Sequence, residues 1–414
     1  MMKYFVGFLM LLFSTLSVWS QADSAGIAFK YNGFIDSYHA LRSESSNDWM
    51  SSRTRLRSEL SADKGNSSMF ISFNAVYNSI LEDKTGLFLR EAFFRYNTEK
   101  WDLKAGRQII TWGVADGIRV TDLVSPMDYT EFLAQDYDDI RIPENGIRLK
   151  YLHPKFNLEG VLIPVAEFFQ LPIDAENPWS VMSSVAMPYS LDMENKPERK
   201  LSNSEYGGRL SFFLSGIDAS LSALHTWNKM PVINKSLSAH GDSLSMQAHY
   251  ERMDMLGADM SVPIGKFVIR AEAAAYLGEL QDLDMPSNLN TTVRKNTCNG
   301  LLGLDFYPGN DWTIMVQYSH KYILDYDEVI STKKNTGLAT FNISKKLLQT
   351  TLTLSSFTYY DVTNNGFYNR TSADYAITDQ IHIMGGYDWF HGDKGPFAMY
   401  KNNSEYFMKF KYSF

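Results

Sequence analysis

The chain of 414 residues holds a single cysteine, Cys298, so no internal disulfide can staple it. Beyond its N-terminal segment it has no apolar run near the about 18 residues a membrane helix needs, which excludes a helical membrane protein. Pro/Gly-rich linkers, low-complexity tracts and coiled-coil heptads are missing, so nothing in the composition divides the chain into separate units. Catalytic signatures are missing too. There is no G-x-S-x-G, no H-E-x-x-H, no Walker loop and no Cys/His cluster, hence no expectation of an enzyme or of a bound cofactor. His225 lies near Ser222 and Thr226, but period two puts Ser222 on the opposite strand face. His249 and His382 lack partners and read as polar wall. The net charge of −8 argues against nucleic-acid binding.

Aromatic residues are plentiful: 24 Tyr, 26 Phe and 8 Trp sit mostly in segments where apolar and polar side chains alternate. The last nine residues show the pattern best. Tyr406, Met408, Phe410, Tyr412 and Phe414 share one strand face, while Lys409, Lys411 and Ser413 share the other. A membrane barrel needs this pattern, because only one residue in two must meet lipid. At the other end, Lys3 and the apolar stretch from Tyr4 to Phe13 precede small residues at Val18-Trp19-Ser20 and Ser20-Gln21-Ala22. Residues 1–22 therefore read as a secretory signal, leaving 23–414 as the mature chain.

Short turns and longer connections alternate along the mature chain. The short turns fall at 62–66, 97–100, 153–155, 215–217, 263–266, 308–311, Lys345-Lys346 and 378–380, and most are rich in Gly, Pro, Asn or Asp. The longer connections fall at 43–50, 81–86, 112–144, 169–203, 230–243, 280–297, 326–335, 362–366 and 391–403. Eight short and nine long connections separate about 18 strands, with 16 the nearest alternative. The expected fold is all-β: a transmembrane, antiparallel, up-and-down β-barrel with both termini on the short-turn side. Such a barrel leaves an aqueous lumen unless loops fill it.

Alternation also assigns faces. Arg53, Arg55, Arg57 and Glu59 share one face of a strand near 51–61, and Arg148 and Lys150 share one face near 145–152. Charges at mid-membrane depth must point inward, since a lipid-facing Arg there costs about 2–4 kcal/mol. The segment 87–97 does not alternate cleanly, and its faces stay unassigned. The connection 112–144 is unusually long and acidic, carrying Asp116, Asp122, Asp128, Asp136, Asp138 and Asp139 with Arg119 and Arg141 between them. It is expected to fold into the lumen and face Arg53, Arg55, Arg57, Arg107 and Arg148 as a pore-lining constriction. A solvated external loop is the alternative. A calcium site at Asp136, Asp138 and Asp139 is a weaker one, since no complete EF-hand pattern is present.

The stretch Gly106-Arg107-Gln108-Ile109-Ile110-Thr111-Trp112-Gly113, followed by Ala115-Asp116-Gly117, Thr121-Asp122, Pro126-Met127-Asp128 and Arg141, resembles a widespread, poorly characterised family of outer-membrane porin-like proteins. That family carries a G-R-Q-x-x-x-W-G strand, then a D-G…T-D…N-P-x-D loop. Its broader relatives include porins and polysaccharide-export barrels. Ser125 stands where the pattern has Asn. The last strand likewise resembles the terminal strand that the barrel-assembly machinery reads, which would make Tyr406, Met408, Phe410, Tyr412 and Phe414 an assembly signal. The resemblance implies the outer membrane of a Gram-negative bacterium, with lipid and lipopolysaccharide around the barrel, and is compatible with an oligomer. The expected function is passive diffusion of small polar or charged solutes. The alternatives are a selective transporter or exporter of polysaccharide or hydrophobic compounds, and a surface adhesin.

Overall fold

The structure, a computed structural model, describes residues 26–44, 48–137, 139–180, 182, 185, 187–238, 240–284 and 291–414. The expected signal at 1–22 and Asp138 lie outside these residues.

Alternation gives one sheet of 18 strands. Consecutive barrel strands pair antiparallel, and the first, Ala28–Arg42, pairs with the last, Glu405–Ser413. The sheet thereby closes on itself and buries its own edges. Tight hairpins at one rim are built on residues that tolerate a left-handed backbone, such as Gly65 at φ +55° between Trp49–Lys64 and Ser67–Asn78. Lys345-Lys346 is not a turn. Both lysines stay in the ladder, opposite Leu354 and Thr353, and the chain reverses at Leu348, Gln349 and Thr350, all at positive φ.

The irregular segment resolves into strand Gly86–Asn97 with a bulge. Its register against Ser67–Asn78 slips between Ser72 and Phe73, which leaves Arg90 as the extra residue. The extra residue switches phase. Leu87 and Leu89 are exposed before it and Phe94 and Tyr96 after it. Arg90 and Glu91, though consecutive, both bond to the chain inside the barrel.

The outer wall is apolar and belted at both ends. Phe29, Trp101, Tyr307 and Trp312 stand exposed near the short-turn rim, and Trp49, Tyr206, Trp389 and Tyr406 near the long-loop rim. Aromatic girdles of this kind flank the lipid-facing band of membrane barrels. Residues 230–243 are more than a loop. Val232–Leu237 and Leu244–His249 form a hairpin, and Tyr189–Asp192 adds to it in parallel, giving a three-stranded sheet apart from the barrel wall. The barrel strand that alternation would start near 244 begins at Arg252.

Candidate functional site: the arm across the lumen

Strand Trp101–Gln108 ends the ladder, and the chain leaves the wall until strand Glu144–His153. The departure is set locally. Gly106 holds φ +131°, and a Cβ there would lie 2.3 Å from the carbonyl oxygen of Ala92, so only glycine fits. Gln108 donates across to the Gly146 carbonyl at 3.2 Å. The backbone N–H of Ile109 then turns to the Glu91 carboxylate at 2.9 Å instead of a neighbouring strand.

Residues 109–143 form an inward arm fastened from several sides of the barrel. On one side Glu272, buried in the wall, accepts four hydrogen bonds. Val114 N and Ala115 N donate at 2.6 Å, and Thr121 N and its hydroxyl at 2.9 Å. Arg270 donates to the Val114 carbonyl at 2.7 Å and Tyr276 to that of Val120 at 2.5 Å. Gln317 makes two bonds to the Asp116 backbone. Tyr359 reaches Gly117, Tyr368 reaches Leu133, and Arg370 reaches Ala134, each through a backbone carbonyl. The Trp112 indole donates to Glu159 at 2.9 Å. Lys229, buried in a connection, sits between Glu144 at 2.5 Å and Glu205 at 2.9 Å and also donates to the Val124 carbonyl. Burial alone would lower its pKa, but the two glutamates outweigh that and raise it, so the ammonium stays charged.

The acids of the arm divide into two groups. Asp139 accepts from Arg55 at 2.9 Å and Arg57 at 2.8 Å, while Arg90 donates to its backbone carbonyl at 3.1 Å. Burial would raise the Asp139 carboxyl, but Arg55 and Arg57, with Arg90, hold it far below the usual carboxylate range. Asp136 pairs with Lys409 on the last strand at 2.5 Å, and that lysine holds its carboxyl down in the same way against burial. These acids therefore touch the basic wall directly. They fasten the arm to one side, and no gap of water separates the two charges. Asp136 and Asp139 are each engaged by cations in different directions. Among the described residues no group of three His, Cys, Asp or Glu side chains is placed to hold a metal ion.

The remaining candidates lie elsewhere. Asp122 receives Arg141 at 2.5 Å and the Trp112 backbone N–H at 3.0 Å, which makes it an internal brace of the arm. Asp128 accepts from the Thr130 backbone and hydroxyl. Asp116 is exposed and presents its backbone to Gln317. Arg53 reaches Gln135 at 3.4 Å, Arg107 reaches Glu167 at 3.2 Å, and Arg148 sits on the wall opposite Lys104. Tyr406, Met408 and Phe410 face outward, and Phe414 stacks on Tyr31 at 5.5 Å.

Sequence reasoning missed the apolar side of the interior. The inward face near the long-loop rim holds Tyr38, Met255, Tyr276, Tyr359, Tyr368 and Phe390, which form one core with Ile110, Trp112, Val120 and Val124 of the arm. Phe132 of the arm stacks on Tyr400 at 4.0 Å. Lys229 was not singled out either, and nothing in the sequence marked Glu272 as an anchor. A barrel strand with one inward glutamate looks the same whether that glutamate meets water or a docked loop.

A closed antiparallel barrel, belted with aromatics outside and crossed by a chain segment inside, is a porin-like barrel. The chain belongs to the DUF1302 family, described as a protein of unknown function, which matches it over residues 35–414. No curated protein matches the chain. Among solved structures it resembles Pseudomonas aeruginosa OccK8 (OprE), with 9% identity, 93% of this chain and 98% of that chain covered and a TM-score of 0.54. It also resembles Acinetobacter baumannii OccAB3, with 11% identity, 93% and 99% covered and a TM-score of 0.51. At these identities the likeness is one of fold.

Proposed function

We propose that this protein is an outer-membrane, porin-like channel of a Gram-negative bacterium that lets small solutes diffuse through a lumen narrowed by the arm at 109–143. The observation that carries this reading is the side-chain and backbone fastening of the arm to Glu272, Tyr359, Arg370 and Arg55 on separate strands. An external loop would have no need of such contacts. About 18 strands enclose more space than one layer of side chains fills, so an arm inside can narrow the lumen without occupying all of it. With Asp139 and Asp136 drawn onto Arg55, Arg57 and Lys409, the free part of the lumen would lie on the opposite side of the arm. The outward-facing Tyr406, Met408 and Phe410 suit the role of an assembly signal, and no energy coupling or cofactor is invoked.

The test is planar-bilayer recording of the refolded full chain, followed by liposome swelling with sugars and amino acids of graded size. Stable conductance steps and size-dependent swelling are expected. A correctly folded barrel that gives neither would refute the channel and favour an adhesive role.

A further inference from the structure

On the side of the arm away from Arg55 and Arg57 there is a cavity of about 850 Å³. Its floor is the arm, with Leu123, Tyr129, Phe132 and Tyr137. Phe169 and Leu338 close its sides, and residues 331–333, 363–364 and 395–397 form its rim. A volume of this size suits a ligand of drug-like dimensions, and binding sites commonly combine such an apolar lining with a few placed polar groups. Apolar surface left wet in a water-filled lumen is unfavourable by about 25 cal/mol per Å², so an apolar solute gains by covering it.

The charged groups at the cavity are mostly cationic. Arg119 lies over the Phe169 ring at 5.5 Å, donates to the backbone carbonyls of Asp122 and Ser125, and is paired with the Asp122 carboxylate at 3.7 Å. Lys321 is paired with Glu279 at 2.8 Å. Lys333, exposed on the rim, donates to the neutral Thr363 carbonyl at 3.0 Å, and among the described residues no carboxylate lies within ion-pair distance of it. The one acid of the lining, Asp361, accepts from the backbone N–H groups of Thr363 and Asn364 and from the Asn364 amide, so its charge serves a turn. A solute entering from the long-loop rim thus meets an aromatic floor and an ammonium without a carboxylate partner.

We infer that this cavity binds amphipathic organic anions, molecules with an aromatic or alicyclic body and one carboxylate or sulfonate. The apolar body lies on Tyr129, Phe132, Phe169 and Leu338, and the anion meets Lys333. This names the solute class of the proposed channel and rests on that reading.

The test uses the full chain in lipid nanodiscs for calorimetry and in planar bilayers for current recording. The probes are naphthalene-2-carboxylate, the neutral naphthalene-2-methanol, and benzoate. Naphthalene-2-carboxylate should bind and interrupt the current, at least tenfold more tightly than either of the others. Lys333→Gln, in an exposed loop, should remove the preference for the anion over the alcohol. Leu338→Gln should weaken both naphthalene probes at least fivefold, with folding checked by the heat-induced gel shift of the barrel. If Leu338→Gln does not fold, Lys333→Gln and the benzoate comparison still decide. Equal binding of anion and alcohol, or no binding by a barrel that conducts, overturns the inference. Binding by a folded barrel that does not conduct would instead overturn the channel and leave the site standing.

Discussion

Glu272→Ala should undock one side of the arm while sparing the barrel. The carboxylate accepts four hydrogen bonds from residues 114–121, three of them from backbone N–H groups. A hydrogen bond to a charged group contributes about 1.5–3 kcal/mol when nothing replaces it. Water can enter a lumen and restore part of each bond, so about 1 kcal/mol apiece is the better figure, or roughly 3–4 kcal/mol for the set. At about 1.4 kcal/mol per factor of ten, the undocked fraction of this stretch rises by roughly two to three orders of magnitude. Glu272→Gln keeps one acceptor oxygen and should lose about half as much. The strand itself should hold, because its backbone pairs with Asp259 on one side and Leu301 on the other whatever the side chain. Amide exchange of a peptide covering 110–125, set against one covering 295–305, measures the difference. Single-channel recording should show a noisier or larger conductance. Unchanged exchange in the arm, or equal loss of protection in arm and wall, would refute the assignment of Glu272 as an anchor.

Three further outcomes follow from the same contacts. Asp139→Asn weakens the grip of Arg55 and Arg57 on the arm, so exchange protection of the arm near 139 should fall while the reversal potential in a salt gradient, set on the far side of the arm, stays near the wild-type value; a clearly moved potential would mean that ions pass along the basic wall. The Asp139 carboxyl titrates below its unfolded counterpart, so its stabilisation is fully present above about pH 4 and is lost only as pH falls through the lowered value. Exchange protection of 136–140 should therefore stay flat from neutral pH to about pH 4 and fall only in stronger acid. Lys229→Met strands Glu144 and Glu205 in a buried site and should destabilise the protein by about 3–5 kcal/mol, read as a lowered denaturant midpoint with the barrel still folded in its absence.

Alternation made the barrel legible because lipid and lumen impose opposite chemistry on successive residues. The basic row Arg53, Arg55, Arg57 and the pair Arg148, Lys150 could be placed for that reason. Alternation is a contrast, though, and it says nothing where both faces are apolar. Tyr368 and Phe390 point inward onto the arm, yet by residue type they resemble the lipid-facing girdle. The bulge at Arg90 left the faces of a strand unassigned by shifting its phase midway. The small sheet at the mouth was illegible for another reason. Its parallel partners Tyr189–Asp192 and Leu244–His249 are far apart in the chain, and no turn chemistry marks their pairing. Acid density and length pointed to the arm, but which wall residues receive its backbone depends on contacts as distant as Val114 with Glu272.

The pair between Asp136 and Lys409 has a consequence in time. One partner lies in the arm, and the other lies on the strand that closes the ring against Ala28–Arg42. Until that strand is in register, Lys409 has no fixed position, and this attachment of the arm cannot form. The Arg55 and Arg57 contacts draw on an early hairpin and can gather the segment sooner. Folding of the interior should thus run in two stages, with an arm first held on one side and then locked as the ring shuts. Contacts this distant in sequence are slow to form. Refolding followed at the Asp136–Lys409 junction should lag behind refolding followed at Arg55, and the lag should match the rate at which the first and last strands meet.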